Sequence, residues 1–470
     1  MEIDLTPRPE FAEAAPARVS REDAHAVFRR WLGDGYDGQA LDAVLAAAAV
    51  ERLDGDPLWL LLLSGSGNAK TETVQALTGA GAVLTSTIAS EGALLSATAK
   101  RERAKSATGG LLRLVEPRGL LVVKDVTSIL SMNRDMRATV LAALREVYDG
   151  QWARNVGTDG GQTLAWAGRV ALVGAVTTAW DTAHAAVAAM GDRFVLLRMD
   201  SSTGRQRAGR QAIGNTGSEV KMRAELAAAV GGVLAGMDTR PAIITEAETD
   251  ALLAAADVVT LARTAVEFDY RGNVADAHAP EMPTRFAKQL AQVVRGAVAI
   301  GVPRGDALRL AIRCARDSMP PLRLAIIDDV AAHPGSTAHD VRKRIDKPRA
   351  TVDRQCQALH MLGVLTCDEL EYGDAGRSRW FYSLADGIEP NALKPESAPE
   401  KLVGTSSSLE EREETREPPR TGSDKSGTPC PVCGRPNAPD RDAAGLECSQ
   451  CVADRGELEE ADPEVWEAAS

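Results

Sequence analysis

The run LWLLLLSGSGNAKTETVQAL at residues 58–77 constrains the fold more than any other stretch of the chain. Six residues without an ionisable group are followed at once by a loop with two glycines, and the loop leads into helical sequence. A short apolar run bounded by turn residues reads as a strand buried on both faces. Further strand candidates with apolar cores stand at residues 119–124, 170–177 and 194–198, with helical or turn sequence between them. Short apolar strands alternating with helices predict an α/β fold, a parallel sheet with helices on both faces.

A phosphate-binding loop reads Gly, four residues, Gly, Lys, then Ser or Thr. Here Ser64 and Ala69 stand at the two glycine positions, while Lys70 and Thr71 are intact. Such a loop works because backbone N–H groups at a helix N-terminus point at the phosphates, the lysine adds a positive charge and the hydroxyl reaches magnesium. Gly65, Ser66, Gly67, Asn68, Ala69, Lys70 and Thr71 are the candidate nucleotide contacts. Gly65 and Gly67 supply flexibility, whereas Ala69 puts a methyl group where the backbone comes closest to phosphate. The plain alternative is a Gly/Ser turn joining strand to helix. The strand at 119–124 is followed by Asp125, a carboxylate at a strand end, where a site with a phosphate loop would need an acid to order magnesium or polarise water. Asp125 fits the magnesium position or the neighbouring catalytic one, with Lys124 then standing in the first.

At 470 residues the chain exceeds one compact core and predicts two or three domains. Hydrophobic residues at 44% exclude a wholly disordered chain, and a net charge of −12 confines nucleic-acid binding to local basic patches. No apolar run approaches a membrane span, and the first residues lack the basic-then-apolar order of a leader, so the chain reads as cytoplasmic with no membrane partner. Residues 1–19 are rich in Pro and Ala and read as a mobile N-terminus. Ser20 with Asp23 signals the start of a helix reaching Trp31, and a second helix covers about 40–52, so residues 20–55 form an N-terminal helical segment. Residues 201–217 read as a polar, glycine-rich loop, and helical sequence resumes at Glu219 and runs with breaks to Arg316.

The order of these segments resembles AAA+ ATPases, and within them the branch with an extra hairpin that includes minichromosome-maintenance helicases and enhancer-binding activators. The stretch AALREVYDGQWARNVGTDGGQTLAWAGRVALVGAVT is similar to that branch's helix, hairpin and sensor strand, with 151–156 pairing to 162–167 across GTDGG. The resemblance implies an ATPase core at 56–200 and a helical lid at 201–317. It also implies a γ-phosphate sensor at Thr177, an arginine for a neighbouring subunit's nucleotide at Arg193 in MGDRFVLLRMD, and a second sensor at Arg285 in EMPTRFAKQLAQVVRGAVAI. With Asp125 these form the implied catalytic set, acting on ATP with Mg2+ in a homo-oligomeric ring. Val126 stands where the family carries a water-activating glutamate. In the hairpin, Arg154 with Trp152 offers charge and stacking to a DNA strand; the alternative is a structural hairpin whose tryptophans pack inward.

Residues 318–387 predict a winged helix-turn-helix: a helix, a short helix at 336–345 opened by Ser336 with Asp340, a turn at Lys347 and Pro348, a longer helix at 349–362, and a two-stranded wing. Lys347, Arg349, Arg354, Arg377 and Arg379 concentrate positive charge there and are candidate contacts to double- or single-stranded DNA. A winged helix used for protein contacts is the alternative. Residues 388–428, rich in Pro, Ser, Glu and Lys, read as a flexible linker.

The block at 429–453 holds Cys430, Cys433, Cys448 and Cys451, two Cys-x-x-Cys pairs separated by fourteen residues. Each pair can place two thiolates on one ion, so a closed, structural Zn2+ site in a small zinc ribbon is expected. An acidic tail at 454–470 follows, which repels a phosphate backbone and points the ribbon toward a protein partner. The chain as a whole reads as an ATP-binding protein acting on DNA by remodelling, unwinding or loading. The rival reading is a DNA-binding regulator whose nucleotide site senses and turns over little.

Overall fold

The computed structural model describes residues 17–98, 107–157, 161–188, 193–372 and 377–397. Helix α1 (Arg21–Leu32) starts where expected, with the Ser20 hydroxyl accepting from the Asp23 N–H at 3.0 Å. Helix α2 (Gly38–Arg52) is rich in alanine and buried along most of its length, as a helix covering a sheet must be. The chain then runs through β1 (Trp59–Leu63), α3 (Lys70–Gln75), β2 (Val83–Thr85), the single turns α4 (Glu91–Leu94) and α5 (Leu111–Leu114), β3 (Arg118–Val123), α6 (Thr127–Leu130) and α7 (Arg134–Tyr148). A hairpin, β4 (Gln151–Val156) with β5 (Gln162–Ala167), leads into β6 (Arg169–Val176), α8 (Ala179–Ala188) and β7 (Val195–Arg198).

Five of these strands form one parallel sheet in the order β2-β3-β6-β1-β7. Every residue of β1 is buried, and its pleat divides them between two cores. Leu60 and Leu62 join the core that contains α2, whereas Trp59, Leu61 and Leu63 join the one that contains α7. The wholly apolar runs in the sequence are therefore the strands packed on both faces. Strand β2 escapes sequence reading because it is three residues long and only partly buried at the sheet edge.

Beyond the sheet come α9 (Arg205–Gly214), α10 (Glu219–Gly236), α11 (Glu246–Arg263), a hairpin of β8 (Val266–Phe268) and β9 (Val274–Ala277), α12 (Thr284–Ala299) and α13 (Arg304–Asp317). One of these corrects the sequence reading. The expected loop at 201–217 contains α9, which buries none of its residues and so shows no apolar period. It is held by polar contacts instead: the Gln211 side chain donates to the Arg30 carbonyl at 3.0 Å, and Asn215 donates to the Trp31 carbonyl at 2.6 Å. The run at 219–316, read as helical with breaks, is helical as expected, and one of its breaks is the short β8–β9 hairpin, which that reading did not specify.

The chain continues with α14 (Pro321–Ala332), β10 (Ser336–Thr337), α15 (Ala338–Ile345), α16 (Arg349–Met361), β11 (Leu365–Tyr372) and β12 (Arg377–Leu384), the strands forming an antiparallel sheet in the order β10-β12-β11. Thr337, not Ser336, caps α15, in a capping box with Asp340. Ser336 is buried in β10, where its hydroxyl donates to the His333 carbonyl at 2.7 Å. The segment 388–397, expected to begin a flexible linker, packs on this body through buried Leu393 and partly buried Ile388. The rest of that segment, the four clustered cysteines and the acidic tail lie outside the described residues. Among the described residues no helix is long and apolar enough to cross a membrane.

Candidate nucleotide site

Because all five strands run the same way, the loops after β1, β3, β6 and β7 meet at one edge of the sheet, the edge where α/β sheets bind ligands. The loop after β1 turns on two residues in the left-handed region. Gly67 has a φ of +78°, and Ala69, at the position where the motif has glycine, has φ +55° and ψ +2°. That left-handed conformation, which glycine adopts freely, costs an alanine roughly 1–2 kcal/mol. Lys70 opens α3 and is 7% exposed. Its ammonium donates to the carbonyls of Ser64 at 2.9 Å and Gly65 at 2.5 Å and to the Ser64 hydroxyl at 3.1 Å. Burial lowers its pKa, and the nearby charge of Asp125 opposes that shift. A buried ammonium resting on loop carbonyls beside a helix N-terminus is poised for an anion.

Asp125 is exposed after β3, with Oδ1 accepting the Thr127 N–H at 2.9 Å. The next residue, Val126, is buried, and its N–H donates to the Ala175 carbonyl at 2.9 Å. It lies so close to Gly174 of β6 that a Cβ there would come within 2.7 Å of the valine methyl. The side chain after Asp125 therefore points into the core rather than into the site. Thr177, at the end of β6, has its hydroxyl 3.3 Å from that of Thr127. The structure thus brings Lys70, Thr71, Asp125 and Thr177 to one edge.

A cavity of about 730 Å³ adjoins this loop. Gly67, Asn68, Ala69, Lys70 and Thr71 line one side, and Trp31, Leu32, Tyr36, Met199 and Met222 give it an apolar wall. Arg207 and Gln211 of α9 complete it. Tyr36 is tied to α3 by a 3.0 Å hydrogen bond between its hydroxyl and that of Thr73. Asp200, on the rim, is held well below the usual carboxylate range by the hydroxyls and N–H groups of Ser202 and Thr203. None of Trp31, Tyr36, Met199, Arg207 or Gln211 was singled out from sequence. They come from three separate segments, and no spacing rule links them.

Arg193 and Arg285 lie elsewhere. Arg193 precedes β7, at the opposite edge of the sheet, a strand's length or about 15 Å from the loop. Its guanidinium sits over the Tyr148 ring at 5.7 Å and 3.4 Å from Asp149. Arg285, at the start of α12, bonds Glu281 at 3.2 Å, and Glu281 also accepts from Arg263 at 2.8 Å. Both arginines act on the Tyr148 hydroxyl, whose pKa burial and Asp56 push up while the two arginines pull it down. The structure therefore brings Arg193 and Arg285 to each other's neighbourhood and not to the Lys70 loop.

In the hairpin the tryptophans pack inward, as in the second of its two readings. Trp152 faces Trp166 across the strands and both are buried, so Trp152 offers no face to a base. Arg154 is held by Glu91 at 2.8 Å and the Leu95 carbonyl at 3.0 Å. In the C-terminal part, Lys347, Arg349 and Arg354 are exposed. His339 has its pKa lowered, by slight desolvation and by the charges of Lys343, Arg342 and Arg349, so α15 and the start of α16 share one positive field. Strand β11 carries Asp368, Glu369 and Glu371 opposite Arg379 and its neighbours, which leaves that hairpin mixed in charge. The side chain of Arg377 lies outside the described residues.

No family model and no curated protein matches the chain. Solved structures do. The apo A form of the NrS-1 C-terminal region is 9% identical with a TM-score of 0.27, over 81% of this chain and 79% of that one. The Aeropyrum pernix ORC1 protein in complex with DNA is 16% identical with a TM-score of 0.21, over 82% of this chain and 94% of that one. At such scores what this chain binds is read from its own residues.

Proposed function

We propose that this chain is an AAA+-type ATPase that acts on DNA. The observation that carries the reading is the convergence of Lys70, Thr71, Asp125 and Thr177 at the C-terminal edge of a parallel sheet, beside a cavity with an apolar wall. ATP fits that arrangement. Its phosphates take the place of the carbonyls that now hold the Lys70 ammonium, and its base lies against Trp31, Tyr36 and Met222. Thr71 and Asp125 would hold magnesium, which supplies neutralisation of the phosphate charge. Thr177 orients the terminal phosphate, and Arg207 adds a cation from the same chain. Arg193 and Arg285, at the far edge, can serve only the nucleotide of another copy, which supports a ring or stack of subunits.

DNA is assigned to the winged-helix reading of residues 318–387, with Lys347, Arg349 and Arg354 on phosphates. Arg379 belongs to a mixed-charge wing and contributes less. Zn2+ on Cys430, Cys433, Cys448 and Cys451, and a protein partner for that ribbon, rest on the sequence spacing and the tail's charge. The rival reading, a regulator that binds ATP and hydrolyses it slowly, is favoured by one feature: Val126 is buried against Gly174, leaving no carboxylate beside Asp125. Steady-state phosphate release with and without DNA separates the two. Turnover stimulated by DNA supports the motor. Tight ATP binding with no DNA-stimulated turnover supports the regulator, and no nucleotide binding at all defeats both.

A further inference from the structure

The β8–β9 hairpin plays no part in the site described above, yet its turn is built stiffly for a surface loop. Asp269 Oδ1 accepts from the N–H groups of Arg271 and Asn273, both at 2.8 Å, and Oδ2 accepts from the Asn273 side chain at 3.0 Å. The Asp269 N–H closes the turn on the Asn273 carbonyl at 2.9 Å, and Gly272 takes a φ of +80° that its neighbours could adopt only with strain. This frame presents Tyr270 to solvent, 88% exposed, with the Arg271 guanidinium 5.1 Å from its ring centre. An aromatic ring displayed on a pre-ordered turn loses little entropy when it docks.

The turn is joined to the basic helix α16. Arg354 packs against Gly272, where a Cβ would come within 2.9 Å of its Cζ. Tyr270, Arg271 and Arg354 therefore belong to one surface, and exposed Lys347 and Arg349 stand at the start of the same helix. The hairpin also carries three carboxylates, each engaged within the hairpin or beside it. Asp269 turns inward onto the turn's own N–H groups, Glu267 faces His278 at 3.3 Å, and Asp276 lies back along β9.

We propose that this turn is a second nucleic-acid contact, in which Tyr270 stacks on an unpaired base while Arg271 and Arg354 hold the backbone of the same strand. Stacking needs an open base face, so the occupant is a duplex with a single-stranded extension, the duplex lying on α16 and the extension on the turn. The inference rests on the DNA reading of α16. Its test uses the full chain with two labelled probes, a blunt duplex and the same duplex with a single-stranded tail. The tailed probe binds about tenfold more tightly to the wild type. Tyr270→Ala lowers its affinity to that of the blunt probe, and Tyr270→Phe keeps the preference. Arg349→Ala weakens both probes alike. A wild type without tail preference, or a preference that survives Tyr270→Ala, overturns the inference while leaving α16 as the reader. A wild type that binds neither probe overturns the DNA reading, and this inference with it.

Discussion

At the C-terminal edge of the five-stranded sheet, the loop after β1 holds Ala69 in a left-handed conformation next to a cavity of about 730 Å³. At the N-terminal edge of the same strands, Arg193 and Arg285 sit among Tyr148, Asp149, Glu281 and Asp56, with Arg193 mostly buried. One edge keeps strain and empty volume, and the other keeps cations already packed in place. The contrast teaches how such a sheet divides its work. Strain and volume suit an edge that must accept a ligand from solvent. Pre-ordered arginines suit an edge that must present fixed charge to something docking on it, because charge that need not reorganise stabilises a transition state best. On the proposed reading each copy binds ATP at one edge and completes its neighbour's site with the other.

The largest effect expected from this division is on turnover. Arg193→Ala should bind ATP with unchanged affinity yet hydrolyse it about a thousandfold more slowly, the loss typical of a missing arginine supplied across an interface. Mixing it with a Lys70→Ala protein should restore part of the rate, since mixed assemblies pair an intact loop with an intact arginine. A rate unaffected by Arg193→Ala would reduce the far edge to a structural role.

The next effect is on stability at the binding edge, where Asp317 at the end of α13 accepts the Arg198 N–H at 2.8 Å. Burial pushes its pKa up to about 6. A folded-state pKa above the unfolded value means that the folded chain binds this proton more tightly. The resulting stabilisation is full below about pH 4 and is lost as the pH rises through 6, amounting to roughly 2–3 kcal/mol. Denaturant titrations of wild type and Asp317→Asn across that range should show the slope in the first and not in the second. Equal slopes would mean that the nearby arginines keep Asp317 ionised throughout.

Arg207 sharpens the comparison because it gives the binding edge a cation of its own. Arg207→Ala should weaken ATP about tenfold, the loss of one charge-assisted contact, with little change in maximal turnover. The smallest effect belongs to Ala69→Gly, which relieves the left-handed strain and should raise stability without nucleotide by about 1 kcal/mol. A loss of stability there would mean that the Ala69 methyl group packs usefully against the loop.

Much of the fold was legible because it is written in local rules. The four longest strands of the sheet are built on apolar runs with an arginine at most at one end, and the Ser20 and Asp23 pair marks the start of α1. The strand, turn and helix around Lys70 were legible from the apolar run and the two glycines that follow it. What stayed hidden depends on distant segments meeting. The cavity wall draws Trp31 and Tyr36 from before the sheet and Met199, Arg207 and Met222 from after it. Helix α9 buries none of its residues and reads as loop for want of an apolar face. The placement of Arg285 beside Arg193 follows from where α12 packs, which no single stretch of sequence encodes.

The central claim is that the Lys70 loop holds ATP, and thermal unfolding of the wild type and Lys70→Ala with millimolar ATP and magnesium tests it most directly. Ligand present at a hundredfold excess over its Kd stabilises the folded state by about 2.7 kcal/mol. The wild type should therefore unfold at a clearly higher temperature with nucleotide than without it, and Lys70→Ala should unfold at the same temperature in both. A wild type whose midpoint does not move, or a Lys70→Ala protein that is stabilised as much as the wild type, would contradict the account.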